Sequence, residues 1–129
     1  MRAAKWRNAL IEEIERSQRL PFEYGKHDCL QFVARCVLAI TGTDHAVQFG
    51  SYTDPAEILK EHGGVDGILT EIFGEPKHPS EASDGDVVLA EIGGRESAGV
   101  CMGGKFLFVR DTGGLVAIPR KLIRGCWTP

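Results

Sequence analysis

The sequence has no long apolar run, no concentrated basic stretch, no closely spaced cysteine pair and no Gly/Ser-rich linker. Each absence removes a class of protein. Nothing is long enough to span a bilayer, and the opening MRAAKWRNALIEEIERSQR carries glutamates through what would have to be the apolar core of a signal peptide. The expectation is a chain made in and retained by the cytoplasm, with no membrane partner. The 15 basic residues are scattered and outnumbered by 18 acidic ones, for a formal net charge of -3. Phosphate binding needs a concentrated basic face, so no nucleic-acid partner is expected. The four cysteines (Cys29, Cys36, Cys101, Cys126) lack the two-residue gap of a zinc knuckle, and no histidine pair has ligand spacing along a helix. No metal or other cofactor is therefore expected. A domain of this size with a good apolar core and no export signal needs no disulfide staples, so the thiols are read as reduced.

What is present fits one domain over residues 1–129. With 43% hydrophobic and 26% charged residues the chain can close a two-layer core. A boundary near Glu75 would leave neither half able to bury a core of its own.

Helical periodicity dominates the first half. Trp6, Leu10 and Ile14 recur at four-residue steps in a helix expected to end near Gln18, because Pro21 biases Leu20 away from helix. The loop PFEYGKHD follows, with Gly25 as hinge and Asp28 as cap. From Cys29 to Thr41 the set Cys29, Val33, Cys36, Val37 and Ile40 predicts a buried helix stopped by Gly42. TDPAEILKEHGG reads as a short helix capped by Thr53 or Asp54, and Val65, Ile68, Leu69 and Ile72 as a further stripe ending at Gly74. After EPKHPSEASDGD the texture changes to short β-rich runs, DVVLA, SAGVCM, KFLFVR, LVAIP and IRGCW, separated by Gly-Gly and Asp-Thr-Gly-Gly. Helices first and a strand meander second predict an α+β fold, N-terminal helices packed on a C-terminal antiparallel sheet.

Cys29 is the most function-like residue. A thiol in the first turn of a helix feels unpaired backbone N–H groups and the positive end of the macrodipole, which favour thiolate, while Asp28 opposes them. Two readings stand: a nucleophile, or a small apolar residue on the stripe shared with Val33 and Cys36. A nucleophile needs a base. His27 is nearest in sequence, but its favoured reading is a solvent-facing loop residue or a partner for the loop backbone. His78, in the long loop before the strands, is the other candidate because such loops rim clefts. His45 and His62 read as exposed. Asp84 and Asp86 read as a turn rather than paired carboxylates, and Phe22 and Tyr24 as groove lining or as cover for the helix start.

The stretch FEYGKHDCLQFVARCVLAITG resembles the nucleophile segment of NlpC-type cell-wall peptidases, papain-like enzymes in which an aromatic-Gly-x-x-Asp-Cys-x-x-Phe run opens the central helix. SDGDVVLAE resembles their Gly-Asp-hydrophobic first strand, and SAGVCMGGKFLFV their next two strands. The resemblance covers Pro21 to Val109, and the whole layout, with its closing Cys-Trp, is similar to a small phage and prophage family often found among tail-assembly genes. It implies a papain-like (NlpC-type) fold with Cys29 as nucleophile. The family's base is a strand histidine whose position is taken here by Ser97, and its orienting polar residue falls near Phe108. The expected function is accordingly an NlpC-like phage or prophage domain, associated with tail assembly or the tail tip and incorporated in the virion, with a degenerate cysteine-hydrolase site. The alternatives are an active cysteine amidase or peptidase that cuts peptidoglycan stem peptides, with His27 or His78 as displaced base, and a host peptide-binding module. Enzyme status is left open, as is the oligomeric state, and the expected partners are phage tail proteins or peptidoglycan peptides.

Overall fold

The computed structural model describes residues 2–48 and 52–129. Four helices come first, α1 (Trp6–Ser17), α2 (Cys29–Thr41), α3 (Ala56–His62) and α4 (Gly64–Phe73). Five strands follow, β1 (Val87–Ile92), β2 (Arg95–Met102), β3 (Lys105–Val109), β4 (Leu115–Ile118) and β5 (Ile123–Trp127). The strands form one sheet in the order β4-β3-β2-β1-β5, antiparallel throughout. The fold is α+β. Among the described residues no helix is long and apolar enough to cross a membrane.

Local chemistry explains the helix bounds. Asp28, in extended backbone, accepts a hydrogen bond from the Gln31 amide at 2.9 Å and so satisfies one of the orphan donors of the first turn of α2. Gly42, at φ 82°, ends α2 by donating its N–H to the Leu38 carbonyl. The short α3 is capped by the Asp54 carboxylate on the Ala56 amide at 3.0 Å. No side chain of its own segment caps α4; instead Glu96 of β2 accepts from the Val65 amide at 3.0 Å and, more weakly, from the Asp66 amide at 3.4 Å. That carboxylate stands at the positive end of the α4 dipole and ties the helix to the sheet.

The strands alternate as a sheet with two buried faces requires. Val87, Leu89, Ala98, Val100 and Trp127 join Leu10, Phe32, Val37, Ile40 and Leu69 in a core between sheet and helices. Burying side chains such as Leu10, Phe32 and Val100 contributes roughly 1.5–3 kcal/mol each. The opposite face carries a smaller cluster, Val88, Ala90, Cys101, Phe106, Phe108, Ile123 and Cys126, with Ala82 and Ile118 against it. Ile123 and Cys126 share that face although three residues apart, because the β1–β5 register shifts between Leu89 and Ala90 and leaves Arg124 as the extra residue of a bulge.

Asp86 does more than turn the chain into β1. Its carboxylate is fully buried and meets Lys77 Nζ at 3.1 Å, Arg2 Nη2 at 3.4 Å, the Thr128 hydroxyl at 2.9 Å and the Ser83 amide at 3.0 Å. Gly85 beside it is required: a Cβ there would come within 2.8 Å of the Trp6 ring, at a φ of 86°.

Candidate functional site

Cys29 is the first residue of α2 and lines a groove of about 450 Å³. Phe22 and Tyr24, edge to face with ring centroids 4.9 Å apart, form one wall, and Pro55, Leu59 and Val65 contribute apolar atoms from the α3–α4 side. The sheet supplies the rest. Strands β2 and β3 pair only from Val100 to Met102 against Leu107 to Lys105. Beyond that, the start of β2 (Arg95, Glu96, Ser97) and the end of β3 (Val109, then Arg110 and Asp111) both line the groove. Gly99 permits the crowding at the point of divergence, since a Cβ there would fall 2.3 Å from the Leu107 carbonyl oxygen and 2.8 Å from the Phe108 ring.

Cys29 is half-buried as a residue, whereas Cys36, Cys101 and Cys126 are buried; all four are free. Burial is the largest influence on the Cys29 thiol and pushes its pKa above the ordinary cysteine value. The Ala98 amide works against that shift, the Asp28 charge adds to it, and the Ser97 hydroxyl and Leu30 amide oppose it. The helix terminus thus acts in the direction expected from sequence, and desolvation outweighs it. That direction favours the protonated thiol over the thiolate that nucleophilic attack uses.

Asp28 is 4% exposed and holds the site together. Besides capping α2 it accepts from the Gly25 amide at 2.9 Å and from the Tyr52 hydroxyl at 2.6 Å. One carboxylate therefore fastens the loop bearing Phe22 and Tyr24 and the segment leading to Pro55 onto the same helix start. Burial, followed by donation to Asp28, pushes the Tyr52 hydroxyl well above the usual phenol range.

The histidines lie elsewhere. His27 is 3% exposed, so its reading as a solvent-facing loop residue is corrected. Paired backbone bonds between Glu23 and His27 (3.0 and 2.7 Å) fold the loop back and turn the imidazole inward, where it meets the Arg35 guanidinium and the edge of Phe32. His78 caps the 3-10 turn Pro79–Glu81, accepting from the Ser80 amide at 3.1 Å, and its carbonyl lies 3.4 Å from the Cys126 sulfur of β5. Neither ring lines the Cys29 groove, and neither do His45, which packs on Phe73, or His62, which pairs with Glu71 at 2.7 Å. Among the described residues no cluster of three or more His, Cys, Asp or Glu side chains is arranged to hold a metal ion.

Ser97 of β2 lines the groove together with Cys29, and its hydroxyl opposes the upward shift of the thiol. Tyr52, Arg35 and Glu96 escape sequence reasoning. Tyr52 and Arg35 act across 24 and 8 positions, where no periodicity points to them. Glu96 had a readable signal: α4 begins at Gly64, straight after Gly63, with no capping side chain, which leaves donors that something distant must satisfy.

A family model described as a domain of unknown function, DUF6950, matches residues 1–128, so the chain belongs to that family. No curated protein matches it.

Proposed function

We propose that this member of the DUF6950 family is an NlpC-like, papain-type domain of a phage or prophage, acting in tail assembly or at the tail tip. Its cysteine-hydrolase site has lost its base, and its groove serves as a binding surface. The observation that carries this reading is the single groove lined by both Cys29, at a helix start, and Ser97, in which no imidazole stands among the described residues. A serine hydroxyl cannot take up the proton of a thiol near neutral pH, so nothing sustains the thiolate. Phe108, where the resemblance calls for an orienting polar group, offers no hydrogen-bonding atom. The elements of a cysteine–base pair adjoin, and the chemistry of the second member is gone.

The reading is tested by incubating purified protein with peptidoglycan and synthetic stem peptides and measuring newly released amines. No release above that of Cys29→Ala is expected; cleavage that disappears in Cys29→Ala would overturn the degenerate site. The tail role is tested separately by mass spectrometry of gradient-purified particles. The protein should co-sediment with tails or tail intermediates. Recovery only as free protein, with normal tails after deletion of the gene, rejects that part.

A further inference from the structure

His27 precedes the cap and the thiol by one and two residues, yet its ring is buried on the α1 side of α2. The Arg35 guanidinium carries only donors, so Nδ1 must accept from it and the ring proton resides on Nε2, which is buried without a partner. Arg35 is itself fixed, by Glu13 Oε1 at 2.6 Å and the Lys26 carbonyl at 2.9 Å, and Arg16 grips the same Glu13 at 2.7 Å. This network clamps the loop from beneath while Asp28 holds it from above through the Gly25 amide.

We propose that His27 is an acid-sensitive latch. The neutral ring holds the loop of residues 22–28 against Arg35. Protonation turns Nδ1 into a donor facing a guanidinium, so the loop releases and the Phe22–Tyr24 wall of the groove goes with it. The consequence for binding rests on the groove reading above; the latch itself does not.

The surrounding charges favour this behaviour. Burial is the largest influence and lowers the imidazole pKa, and Arg35 on α2 and Arg16 on α1 act in the same sense. Asp28 and Glu13 oppose them and are outweighed. Lys26 and Glu23, also in the loop, pair with each other at 3.2 Å on the exposed side. The sign follows from proton counting. Below the ordinary imidazole value of about 6.5, the released form carries one proton more than the latched form. The released-to-latched ratio therefore rises about tenfold per pH unit on acidification, until the latched ring itself protonates, and is flat above that window.

The test is a nuclear magnetic resonance titration of the full chain from about pH 8 to about pH 4, following the four imidazoles and the Gly25 and Gln31 amides. His27 is expected to stay neutral below the ordinary imidazole range, and the two amides to leave their native shifts as it protonates. In His27→Gln, whose side-chain oxygen can accept from Arg35 and does not titrate, the amide transition should vanish. If that variant does not fold, Arg35→Gln should move the His27 midpoint upward. Titration of His27 at the ordinary value with no amide response overturns the latch. So does an amide transition that persists in His27→Gln, or a midpoint unmoved in Arg35→Gln. None of these readouts uses a ligand, so failure of the latch is distinct from failure of the groove reading, which the cleavage and tail assays decide.

Discussion

Replacing Ser97 by histidine puts an imidazole into the groove that Cys29 lines. The groove has the room, since Ser97 lines about 450 Å³ of open volume. A thiolate and an imidazolium about 4 Å apart attract by about 4 kcal/mol at an effective dielectric of about 20. At about 1.36 kcal/mol per pH unit, full pairing lowers the thiol midpoint by about three units. The groove is open to solvent on one side, and screening reduces the working figure to about two units. Burial holds the wild-type thiol above the ordinary cysteine value; the variant should titrate about two units lower than wild type. The assay is ultraviolet thiolate absorbance against pH, with Cys29→Ala subtracted in each background. Alkylation rate is the poorer readout, because nucleophilicity falls with pKa at a coefficient of about 0.4–0.5 and offsets much of the gain in thiolate. An unmoved midpoint in a folded Ser97→His protein would refute the placement of Ser97 against the sulfur. Stem-peptide cleavage is not expected from this single change, because Phe108 leaves the new ring without an orienting partner.

Alkylation followed by peptide mapping should label Cys29 before Cys36, Cys101 and Cys126 on access alone, and the pH midpoint of its labelling should lie above the ordinary thiol value; a midpoint near neutrality would refute burial as the dominant influence on the thiol. Asp28→Ala removes a helix cap and strands the Gly25 and Tyr52 donors, costing about 2–3 kcal/mol in urea unfolding, whereas a loss below about 0.5 kcal/mol would show that the carboxylate does not organise the site. Phe32→Ala removes a fully buried ring from α2 and should cost about 3–5 kcal/mol. Glu13 is held below the usual glutamate range because the Arg16 and Arg35 hydrogen bonds outweigh its burial. Its stabilisation is therefore complete above the ordinary glutamate value and lost as pH falls through the lower, folded value, and Glu13→Gln should flatten that part of the stability–pH curve.

Local grammar carried most of the fold. The stripe from Cys29 to Ile40 with Asp28 before it and Gly42 after it fixes α2 without tertiary information, and the positive-φ pairs Gly93-Gly94 and Gly103-Gly104 fix the two tight hairpins in the same way. β2 begins two residues earlier than its apolar run suggests, because pairing with β1 extends to Arg95 whatever its side chains. What sequence withheld was three-dimensional coincidence. The burial of His27 depends on Arg35 two turns along α2 and Glu13 on α1, neither of which alters the local pattern around the loop. The Asp84-Gly85-Asp86 stretch read as a turn, and Gly85 does turn there, but the burial of Asp86 depends on cations at Arg2 and Lys77 that only the folded chain delivers.

That buried Asp86 has an engineering consequence. Arg2 and Thr128 both bond the same carboxylate oxygen, at 3.4 and 2.9 Å, so positions 126 apart in the sequence are spatial neighbours. A short peptide bridge could splice them, and the chain could be reopened at the exposed Gly93-Gly94 tip, giving a circularly permuted protein with the sheet order unchanged. In such a rearranged chain Cys29 would lie in the middle of the polypeptide while the new ends flank Ile92 and Arg95 of the groove wall, so a reporter attached there would report on the rim of the thiol groove.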